Sequence, residues 1–487
     1  MEPTIHLTTT GTMIIPYVKG QLPFLEKYTS SYEKITHSWN PANGFIAEDM
    51  EAFLTYKIPV SKLKAWFPDY EIVKHSASSS RSLPKEVKMN DDFELRELQK
   101  KPVTSLIATN KPEVFLNIPT ATGKTVIGVF YSIYFNKRTL IVCFSTKILN
   151  QWKEAILSMT NVPEKSIKVL NSDYIHKVVN DEYDFSDDYF LLSTPQLFSM
   201  YSSKNGYADV MSFMTKMRIG LKIFDEAHRD LGAIVKLNAL SSCEKTLYMS
   251  ADLNRGSRYI KDKFFNVFGS VQSIQFSEDD MKKLRHILAV FVNFNSNPDP
   301  ISITNVRKGK YNWSHIAYAK YQYDHSITSS KVTKLINKIL SVEVQTKPRY
   351  KILVLLELID HVDQLTEDLR DVFNGRVTVG RYHSKVSPEE KKETLECDII
   401  VSIYDSFSTG VNVVNPEIRH VISTIPVNEV TINQSAGRCR PINGLNSFLW
   451  ILCDTGFDYC VHNKSRVGRY LSKQKIKSVI EKDFDQL

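Results

Sequence analysis

Two short segments of this chain carry residue types that can grip a nucleoside triphosphate. The first is Pro119-Thr-Ala-Thr-Gly-Lys-Thr125, a run of small and polar residues that ends in Gly-Lys-Thr. Backbone amides of such a turn, and of the helix after it, bind phosphate oxygens, while the lysine reaches the β- and γ-phosphates and the threonine hydroxyl holds magnesium. The residues expected to bind the nucleotide here are Thr120, Thr122, Gly123, Lys124 and Thr125.

A second segment, Asp225-Glu-Ala-His228, supplies paired carboxylates. It directly follows Leu221-Lys-Ile-Phe224, which is predicted to be an apolar strand. Carboxylates at the carboxyl end of a parallel strand face the crevice where ligands bind in open α/β sheets. We therefore expect Asp225 to bind magnesium and Glu226 to orient and polarise the attacking water as a general base. An isolated Asp-Glu pair is more often a solvated helix start, so this interpretation depends on the first segment.

The sequence around the first segment predicts the strand, turn and helix that a phosphate-binding loop requires. Val114-Phe-Leu-Asn-Ile118 predicts a short strand, and Val126-Ile-Gly-Val-Phe-Tyr131 predicts the start of a buried helix. The usual loop opens with glycine, whereas this chain has Ile118 at that place. An ordinary helix N-terminus is the alternative interpretation, because Gly-Lys-Thr triplets are common.

Composition is that of a globular protein with several domains. The 487 residues suggest about three domains, and 42% hydrophobic residues can support sizeable cores. The 62 Lys and Arg against 54 Asp and Glu give a net charge of +8, which is compatible with a polyanionic partner. The six cysteines show no C-x-x-C pairing, which favours reduced thiols of an intracellular protein. With no signal peptide and no apolar run of about 18 residues, we expect a soluble, cytoplasmic protein without a membrane partner.

Alternating strand and helix patterns predict two α/β lobes, each a parallel sheet covered by helices, after a small α+β N-terminal domain. The N-terminal domain is predicted to span 1–85 and to end in a polar, serine-rich linker. Lobe 1 is predicted at 86–290 and lobe 2 at 326–487, with a Pro- and Asn-containing connection at 291–325. Further predicted strands are Thr139–Phe144, Tyr189–Leu192, Thr246–Met249, Tyr350–Leu356, Arg376–Val379, Asp398–Val401, His420–Ser423 and Phe448–Leu452.

Further motifs follow one another in the order of a known family. They are Phe93-Glu-Leu-Arg-Glu-Leu-Gln99, Phe144-Ser-Thr-Lys-Ile-Leu-Asn-Gln-Trp152, Ser402-Ile-Tyr-Asp-Ser-Phe-Ser-Thr-Gly-Val-Asn412 and Gln434-Ser-Ala-Gly-Arg-Cys-Arg440. With the two opening segments, they resemble the motifs of superfamily 2 helicases of the DExH type. The resemblance covers residues 93–440. It implies two RecA-like lobes, ATP hydrolysis with Mg²⁺ as cofactor, and a nucleic-acid partner.

The resemblance gives nucleotide-binding roles to residues outside the two opening segments. Gln99 would read the adenine edge, with Leu98 in place of the usual aromatic residue. From the second lobe, the expected nucleotide contacts are Gly410, Asn412 and Gln434.

Two arginines are expected to neutralise charge on the transferred phosphoryl group. Arg438 would contact the γ-phosphate and Arg440 would be the arginine finger, or the two roles are exchanged, because Pro441 stands where the final arginine is usual. A surface arginine pair is the alternative interpretation.

The resemblance also places several residues on the nucleic-acid backbone, where hydroxyls and lysine bind phosphate without reading sequence. These residues are Ser145, Thr146, Lys147, Thr194, Ser384 and Thr409. Helix caps and turns are the alternative interpretation for each short motif. Ser250-Ala-Asp252 stands where the family has Ser-Ala-Thr, which links hydrolysis to movement. An ionised aspartate cannot donate a hydrogen bond there, so this coupling is in question.

Within the superfamily, the chain resembles the phage UvsW-type branch-migration helicases most, and the XPB and poxvirus transcript-release helicases more distantly. Phe407-Ser-Thr-Gly410, Gln434 to Arg438 and the chain layout carry this resemblance. It implies a DNA helicase or translocase that acts on forks, Holliday junctions or displacement loops in recombination or repair. Such a protein would be able to act as a monomer in the host cytoplasm. Remodelling of RNA or transcription complexes, and an ATP-dependent clamp without turnover, are the alternatives.

Overall fold

The computed structural model describes most of the chain, and the statements below concern the part it describes. That part comprises residues 3–8, 11–17, 30–33, 38–41, 44–56, 60–75, 80–119, 122–227, 231–250, 271–283, 285–307, 313–343, 350–404, 406, 418–425, 429–439, 442, 445–471 and 476–487. The chain divides into two compact units, Met1–Phe276 and Ser277–Leu487.

The first unit begins with a small, mostly antiparallel sheet. Its order is β5-β6-β2-β1-β7, and only β1 and β7 pair in parallel. A helix, Val60–Trp66, packs Leu63 into the core of this sheet. The strands are β1 (Thr4–Leu7), β2 (Gly11–Ile15), β5 (Gly44–Ala47), β6 (Ala52–Tyr56) and β7 (Glu71–Lys74), and a separate pair is formed by β3 (Ser30–Glu33) and β4 (Ser38–Pro41).

A seven-stranded parallel sheet with the order β10-β11-β9-β12-β13-β8-β14 forms the centre of the first unit. Successive residues of its strands face two separate cores, as when Phe115 enters one core and Leu116 the other. Because both faces are covered, the strands read as continuous apolar runs. The strands are β8 (Glu113–Asn117), β9 (Thr139–Val142), β10 (Ile167–Val169), β11 (Phe190–Ser193), β12 (Leu221–Phe224), β13 (Lys245–Ser250) and β14 (Gln272–Gln275). The helices are Glu97–Ala108, Lys124–Phe135, Thr146–Met159, Ser172–Val179, Pro195–Asn205, Tyr207–Met217 and Leu231–Ala239.

The N-terminal sheet shares a hydrophobic core with the helices of the parallel sheet. Leu54 is buried in the same cluster as Ile234 and Phe213. At the edge of this contact, the Asp49 carboxylate accepts a hydrogen bond from the backbone N–H of Ala208 at 2.8 Å. The N-terminal sheet and the first lobe therefore form one compact unit.

The second unit contains another seven-stranded parallel sheet, with the order β17-β18-β16-β19-β20-β15-β21. Its strands also alternate between two cores, with Leu353 on one side and Val354 on the other. The strands are β15 (Ile287–Phe294), β16 (Lys351–Leu356), β17 (Val379–Tyr382), β18 (Ile399–Ile403), β19 (Ile418–Ser423), β20 (Ser447–Asp454) and β21 (Ile476–Asp483). The helices are Glu278–Lys283, Pro300–Val306, His315–Asp324, Ile327–Glu343, Ile359–Phe373, Pro388–Thr394, Glu429–Ala436 and Asp458–Leu471.

This architecture confirms the predicted fold class of two parallel-sheet α/β lobes after a small α+β region. The predicted connection at 291–325 has to be corrected. Strand Ile287–Phe294 pairs with β20 and β21 inside the second sheet, and Val306 and Tyr318 enter the same core. The predicted strand Arg376–Val379 is also displaced, because the observed strand begins at Val379. None of the described helices has the length and apolar character needed to cross a membrane.

Candidate nucleotide site

The predicted phosphate-binding loop lies between β8 and the helix Lys124–Phe135, and this strand and helix occur where they were predicted. Gly123 stands immediately before this helix with φ +85°, in the left-handed region that favours glycine. A Cβ at Gly123 would also overlap the side-chain nitrogen of Gln99. The backbone therefore favours glycine here, and a larger residue would also have to displace the Gln99 amide. Ile118, which replaces the usual opening glycine, is buried in the core.

Gln99, in the helix Glu97–Ala108, stabilises this loop through a hydrogen bond. Its Oε1 accepts a hydrogen bond from the Arg96 N–H at 3.0 Å, and its Nε2 donates to the Thr122 carbonyl at 3.1 Å. The Thr122 hydroxyl in turn donates to the Pro119 carbonyl at 2.6 Å. Gln99 is buried, so its amide fixes the loop conformation in this structure. The adenine contact expected of Gln99 stays a prediction.

Asp225 and Glu226 lie directly after β12, at the carboxyl edge of the sheet. The Asp225 N–H donates to the Val142 carbonyl at 3.0 Å, and the Ala227 N–H donates to the Met249 carbonyl at 2.9 Å. Both neighbouring strands thus hold the segment. Glu226 adopts φ +51°, which is uncommon for a residue with a side chain and is frequent at functional sites.

Opposite charges meet at this edge. The Lys124 Nζ lies 3.6 Å from the Glu226 Oε1, and the two side chains are only 10% and 22% exposed. Burial and the neighbouring Glu226 raise the pKa of Asp225 to about 6, although Lys124 and Trp152 oppose this shift. Burial, together with Asp225 and Glu226, also raises the pKa of the Cys143 thiol well above its ordinary value. The site therefore combines a cation with two carboxylates in partly desolvated surroundings.

These residues fit a nucleoside triphosphate with magnesium. The turn at Gly123 aims the start of a helix at the carboxyl edge of the sheet, where phosphate binds favourably. Lys124 supplies the charge for phosphate oxygens, and the Asp225 carboxylate and the Thr125 hydroxyl are hard oxygen ligands of the kind magnesium prefers. The arrangement brings together Lys124, Thr125, Asp225 and Glu226 in one unit, whereas Thr120 and His228 fall outside the described residues.

The backbone-contact residues predicted in the first unit lie where β9 and β11 end. Ser145 caps the helix Thr146–Met159, and its hydroxyl accepts a hydrogen bond from the Ile148 N–H at 3.3 Å. Thr194 precedes the helix Pro195–Asn205 without a side-chain cap bond. Ser145 thus serves as a helix cap, as the alternative interpretation proposed. Phosphate contacts of Ser145, Thr146, Lys147 and Thr194 stay predictions.

In the second unit, Ser384 is exposed in the turn after β17, and Arg438 is half-buried just beyond the helix Glu429–Ala436. Gln434 belongs to that helix, but its side chain is not among those described. Four other predicted site residues lie outside the described part of the chain: Thr409, Gly410, Asn412 and Arg440. Asp252, which concerns coupling, lies outside it as well.

One residue of the site was missed by the sequence interpretation. Trp152 ends the motif Phe144–Trp152, which resembles a nucleic-acid-contacting motif, but its indole N–H donates to Asp225 Oδ2 at 3.0 Å. Its side chain is fully buried beside Gly128 of the helix Lys124–Phe135. A buried tryptophan needs a partner for its single N–H, and that requirement was the only signal in the sequence.

Comparison with known proteins finds a family that matches part of the first unit. The family described as "Type III restriction enzyme, res subunit" matches residues 92–255, which is less than half of the chain. The match contains the phosphate-binding loop, Trp152 and the carboxylate pair.

Curated relatives are similar over shorter stretches. The XPB helicase/translocase subunit of transcription and DNA repair factor IIH from Enterocytozoon bieneusi is 28% identical over 114 residues, or 23% of this chain and 19% of that protein. The corresponding XPB/SSL2 subunit of Saccharomyces cerevisiae is 20% identical over 190 residues, or 37% of this chain and 22% of that protein. The aligned part therefore spans less than a quarter of either relative.

Solved structures share the fold. S. cerevisiae Dbp5 bound to RNA and ADP BeF3 matches over 80% of this chain and 90% of its own, with a TM-score of 0.51 and 10% identity. T4 UvsW matches over 99% of this chain and 100% of its own at 15% identity. Its TM-score is 0.34, which is too low to support assignment to the UvsW-type helicases. The family match and the XPB relatives support a superfamily 2 helicase, and the solved structures show the same fold.

Proposed function

We propose that this protein is an ATP-dependent DNA helicase or translocase that unwinds or branch-migrates branched DNA, such as forks, Holliday junctions and displacement loops. The observation that carries the proposal is the ion pair between Lys124 and Glu226 beside the buried Asp225. A lysine at the start of the phosphate-loop helix is paired with the carboxylate expected to act as general base. This is an arrangement for hydrolysing a terminal phosphate.

In the proposed reaction, Lys124 exchanges its contact with Glu226 for the phosphate oxygens of ATP. Glu226 is thereby released to accept a proton from the attacking water. Thr125 and Asp225 would hold the magnesium ion, which when bound would neutralise charge on the phosphate oxygens. The roles expected of Arg438 and Arg440 as phosphate contact and arginine finger belong to the same proposal.

The nucleic-acid part of the proposal rests on the motifs and on charge. Hydroxyls and Lys147 follow the ends of two strands at the carboxyl edge of the first sheet, where they can bind a phosphate backbone without reading sequence. The net charge of +8 favours a polyanion. The choice of branched DNA, and of replication, recombination or repair as the setting, follows the resemblance to phage UvsW-type helicases.

The test compares ATP hydrolysis by the full chain with Holliday junctions, forks, single-stranded DNA and single-stranded RNA of matched length. We expect branched DNA to stimulate hydrolysis most, and labelled forks and junctions to be unwound only when ATP is present. Stimulation by RNA alone would overturn the choice of DNA and favour the RNA-remodelling alternative.

Glu226→Gln is the matched control, because it keeps size and hydrogen-bonding capacity while removing the base. We expect its hydrolysis to fall by about 10²–10⁴-fold, the usual contribution of a general base. Wild-type hydrolysis no faster than that of Glu226→Gln, with intact binding of ATP and DNA, would instead support a clamp without turnover.

A further inference from the structure

Trp152 lies between the helix Lys124–Phe135 and the Asp225 carboxylate. It is fully buried, and its only polar side-chain atom donates a hydrogen bond to Asp225 Oδ2. The other oxygen of this carboxylate, Oδ1, accepts the backbone N–H of Glu226 at 3.0 Å. Two donors from different elements therefore fix the rotation of the carboxylate, because each oxygen has its own partner.

The indole ring is also held from the side of the phosphate loop. Gly128 lies in the helix that begins at Lys124, and a Cβ at Gly128 would lie 2.5 Å from Trp152 Cη2. The absence of a side chain at Gly128 lets the indole pass this helix and reach Asp225. The ring consequently contacts the phosphate-loop helix and the carboxylate at the same time.

Trp152 belongs to the helix Thr146–Met159, whose first residues are the predicted phosphate contacts Thr146 and Lys147. From Thr146 to Trp152 the helix rises about 9 Å, since each residue adds about 1.5 Å. A helix of this length transmits a shift at its N-terminus to residues two turns away. The bond to Asp225 depends on the distance and angle of the N–H, so it responds to such a shift.

We infer that Trp152 is a positioning residue that orients the Asp225 carboxylate for magnesium and links that orientation to nucleic acid at the start of its helix. This inference rests on the proposed function and assigns the link between its two ligands to one hydrogen bond. Trp152 fills space in the core and in addition fixes the direction of a group that is predicted to bind metal. The N–H, more than the ring, carries this role.

The variant Trp152→Phe tests the inference, because it keeps an aromatic ring in the core and removes the N–H. Binding of ADP with Mg²⁺ is measured by calorimetry over a range of Mg²⁺ concentrations. We expect the Mg²⁺ concentration for half-saturation to rise about tenfold, a change that corresponds to about 1.4 kcal/mol. We also expect hydrolysis to lose most of its stimulation by single-stranded DNA, while the unfolding temperature changes by only a few degrees.

The matched control is Trp450→Phe. Trp450 lies in the second unit, and its indole N–H donates to His420 Nδ1 at 3.1 Å, so this variant also loses one indole hydrogen bond. We expect its Mg²⁺ dependence and DNA stimulation to match those of the wild type. Unchanged Mg²⁺ dependence in Trp152→Phe, or equal changes in both variants, would contradict the inference.

A measurement on the unsubstituted sequence covers the case in which Trp152→Phe does not fold. The tryptophans are replaced biosynthetically with 5-fluorotryptophan, and the Trp152 signal is identified in the ¹⁹F spectrum by its shift in Asp225→Asn. We expect that signal to move when Mg²⁺ and ADP are added and again with single-stranded DNA. A signal that does not respond would overturn the inference. Wild-type protein that neither binds ADP nor hydrolyses ATP would instead overturn the proposed function.

Discussion

Asp225 and Asp454 are two buried aspartates at the carboxyl ends of strands, one in each parallel sheet. Asp454 is the last residue of β20, and its carboxylate accepts three hydrogen bonds, from Ser296 N, Gly456 N and Gln322 Nε2, at 3.0, 3.0 and 2.8 Å. Asp225 follows β12 and accepts bonds from Trp152 and Glu226. The two groups have the same chemistry and a similar place in the fold.

The surroundings of the two carboxylates indicate different roles, a structural one for Asp454 and a chemical one for Asp225. The donors around Asp454 come from the turns after β15 and β20 and from a helix, so its carboxylate holds three segments together. Asp225 stands beside a second carboxylate and a lysine, and its pKa is raised to about 6 by burial and Glu226. The donors around Asp454 tie segments of the fold together, whereas burial and the like charge of Glu226 oppose the charged form of Asp225. A carboxylate that the fold destabilises in this way is a candidate for binding a cation.

The largest effect we expect is on hydrolysis in Asp225→Asn. Asparagine keeps the size of the side chain but removes the charge that would hold magnesium. ATP hydrolysis should fall by at least about 10²-fold, the scale for one group that stabilises transition-state charge. The free energy of unfolding should change little, because losing one acceptor is offset by removing a buried charge. Steady-state hydrolysis and urea unfolding measure the two quantities. A fully active variant would contradict the role assigned to Asp225.

Asp454→Asn should show the opposite pattern. An asparagine side chain has one acceptor oxygen, so at least one of the three donors would face an amide group. Loss of charge-assisted hydrogen bonds should lower the free energy of unfolding by about 2–3 kcal/mol. Hydrolysis per folded molecule should stay within about twofold of the wild type, since no reacting group is touched. If this variant lost hydrolysis without losing stability, the contrast between the two aspartates would be reversed.

The elements that position Asp225 were predictable because they are local in sequence. The apolar run Leu221–Phe224 and the glycine before Lys124 specify a buried strand and a loop-to-helix turn, and both occur as predicted. The class of helicase motifs was also recognisable, because each motif is a short segment.

The partners that bind across the fold were not predictable. Trp152 and Asp225 are 73 residues apart, and the local sequence around either residue does not predict contact with the other. Edge strand Gln272–Gln275 was missed because it contains one apolar residue, and Lys222 was read as part of an apolar strand although its charge is buried. These features depend on which elements become neighbours, and a local pattern does not contain that information.

Lys222 gives a third, smaller test, on pH dependence. Its ammonium is buried and donates to Asn238 Oδ1 and Ser241 Oγ, both at 2.8 Å, and burial lowers its pKa although Cys243 and Glu113 oppose this shift. The unfolded chain therefore holds this proton to higher pH than the folded one, so stability should rise as pH increases towards the unfolded pKa of about 10.4. Lys222→Met should remove that rise between pH 7 and pH 9.5, as measured by urea unfolding.

The matched variant for this test is Lys351→Met in the second sheet. Burial lowers the pKa of Lys351 too, but two carboxylates, Glu396 and Asp398, favour its charge, against one, Glu113, at Lys222. The slope of stability against pH should therefore change less than in Lys222→Met. Equal slopes in both variants would show that neighbouring carboxylates do not compensate the burial of Lys351.

The smallest effects concern one helical glycine in each unit. Gly468, in the helix Asp458–Leu471, has room for a methyl group, because a Cβ would lie 3.6 Å from the Phe291 ring. Alanine favours helix over glycine, so Gly468→Ala should raise the free energy of unfolding by about 0.5–1 kcal/mol. Gly128→Ala has the same helical advantage but must displace the Trp152 indole, so it should lower the free energy of unfolding by about 1–3 kcal/mol.

Chemical denaturation of the two alanine variants therefore measures both the direction and the size of the change in the free energy of unfolding. If Gly468→Ala raises the free energy of unfolding and Gly128→Ala lowers it, the helix Lys124–Phe135 and the Trp152 indole are closely packed. Close packing is the condition for Trp152 to hold Asp225 in one orientation. Stabilisation at both positions would mean that the indole moves aside at little cost. A ring that moves so readily cannot fix a carboxylate, and the positioning role of Trp152 would then fail together with the close packing at Gly128.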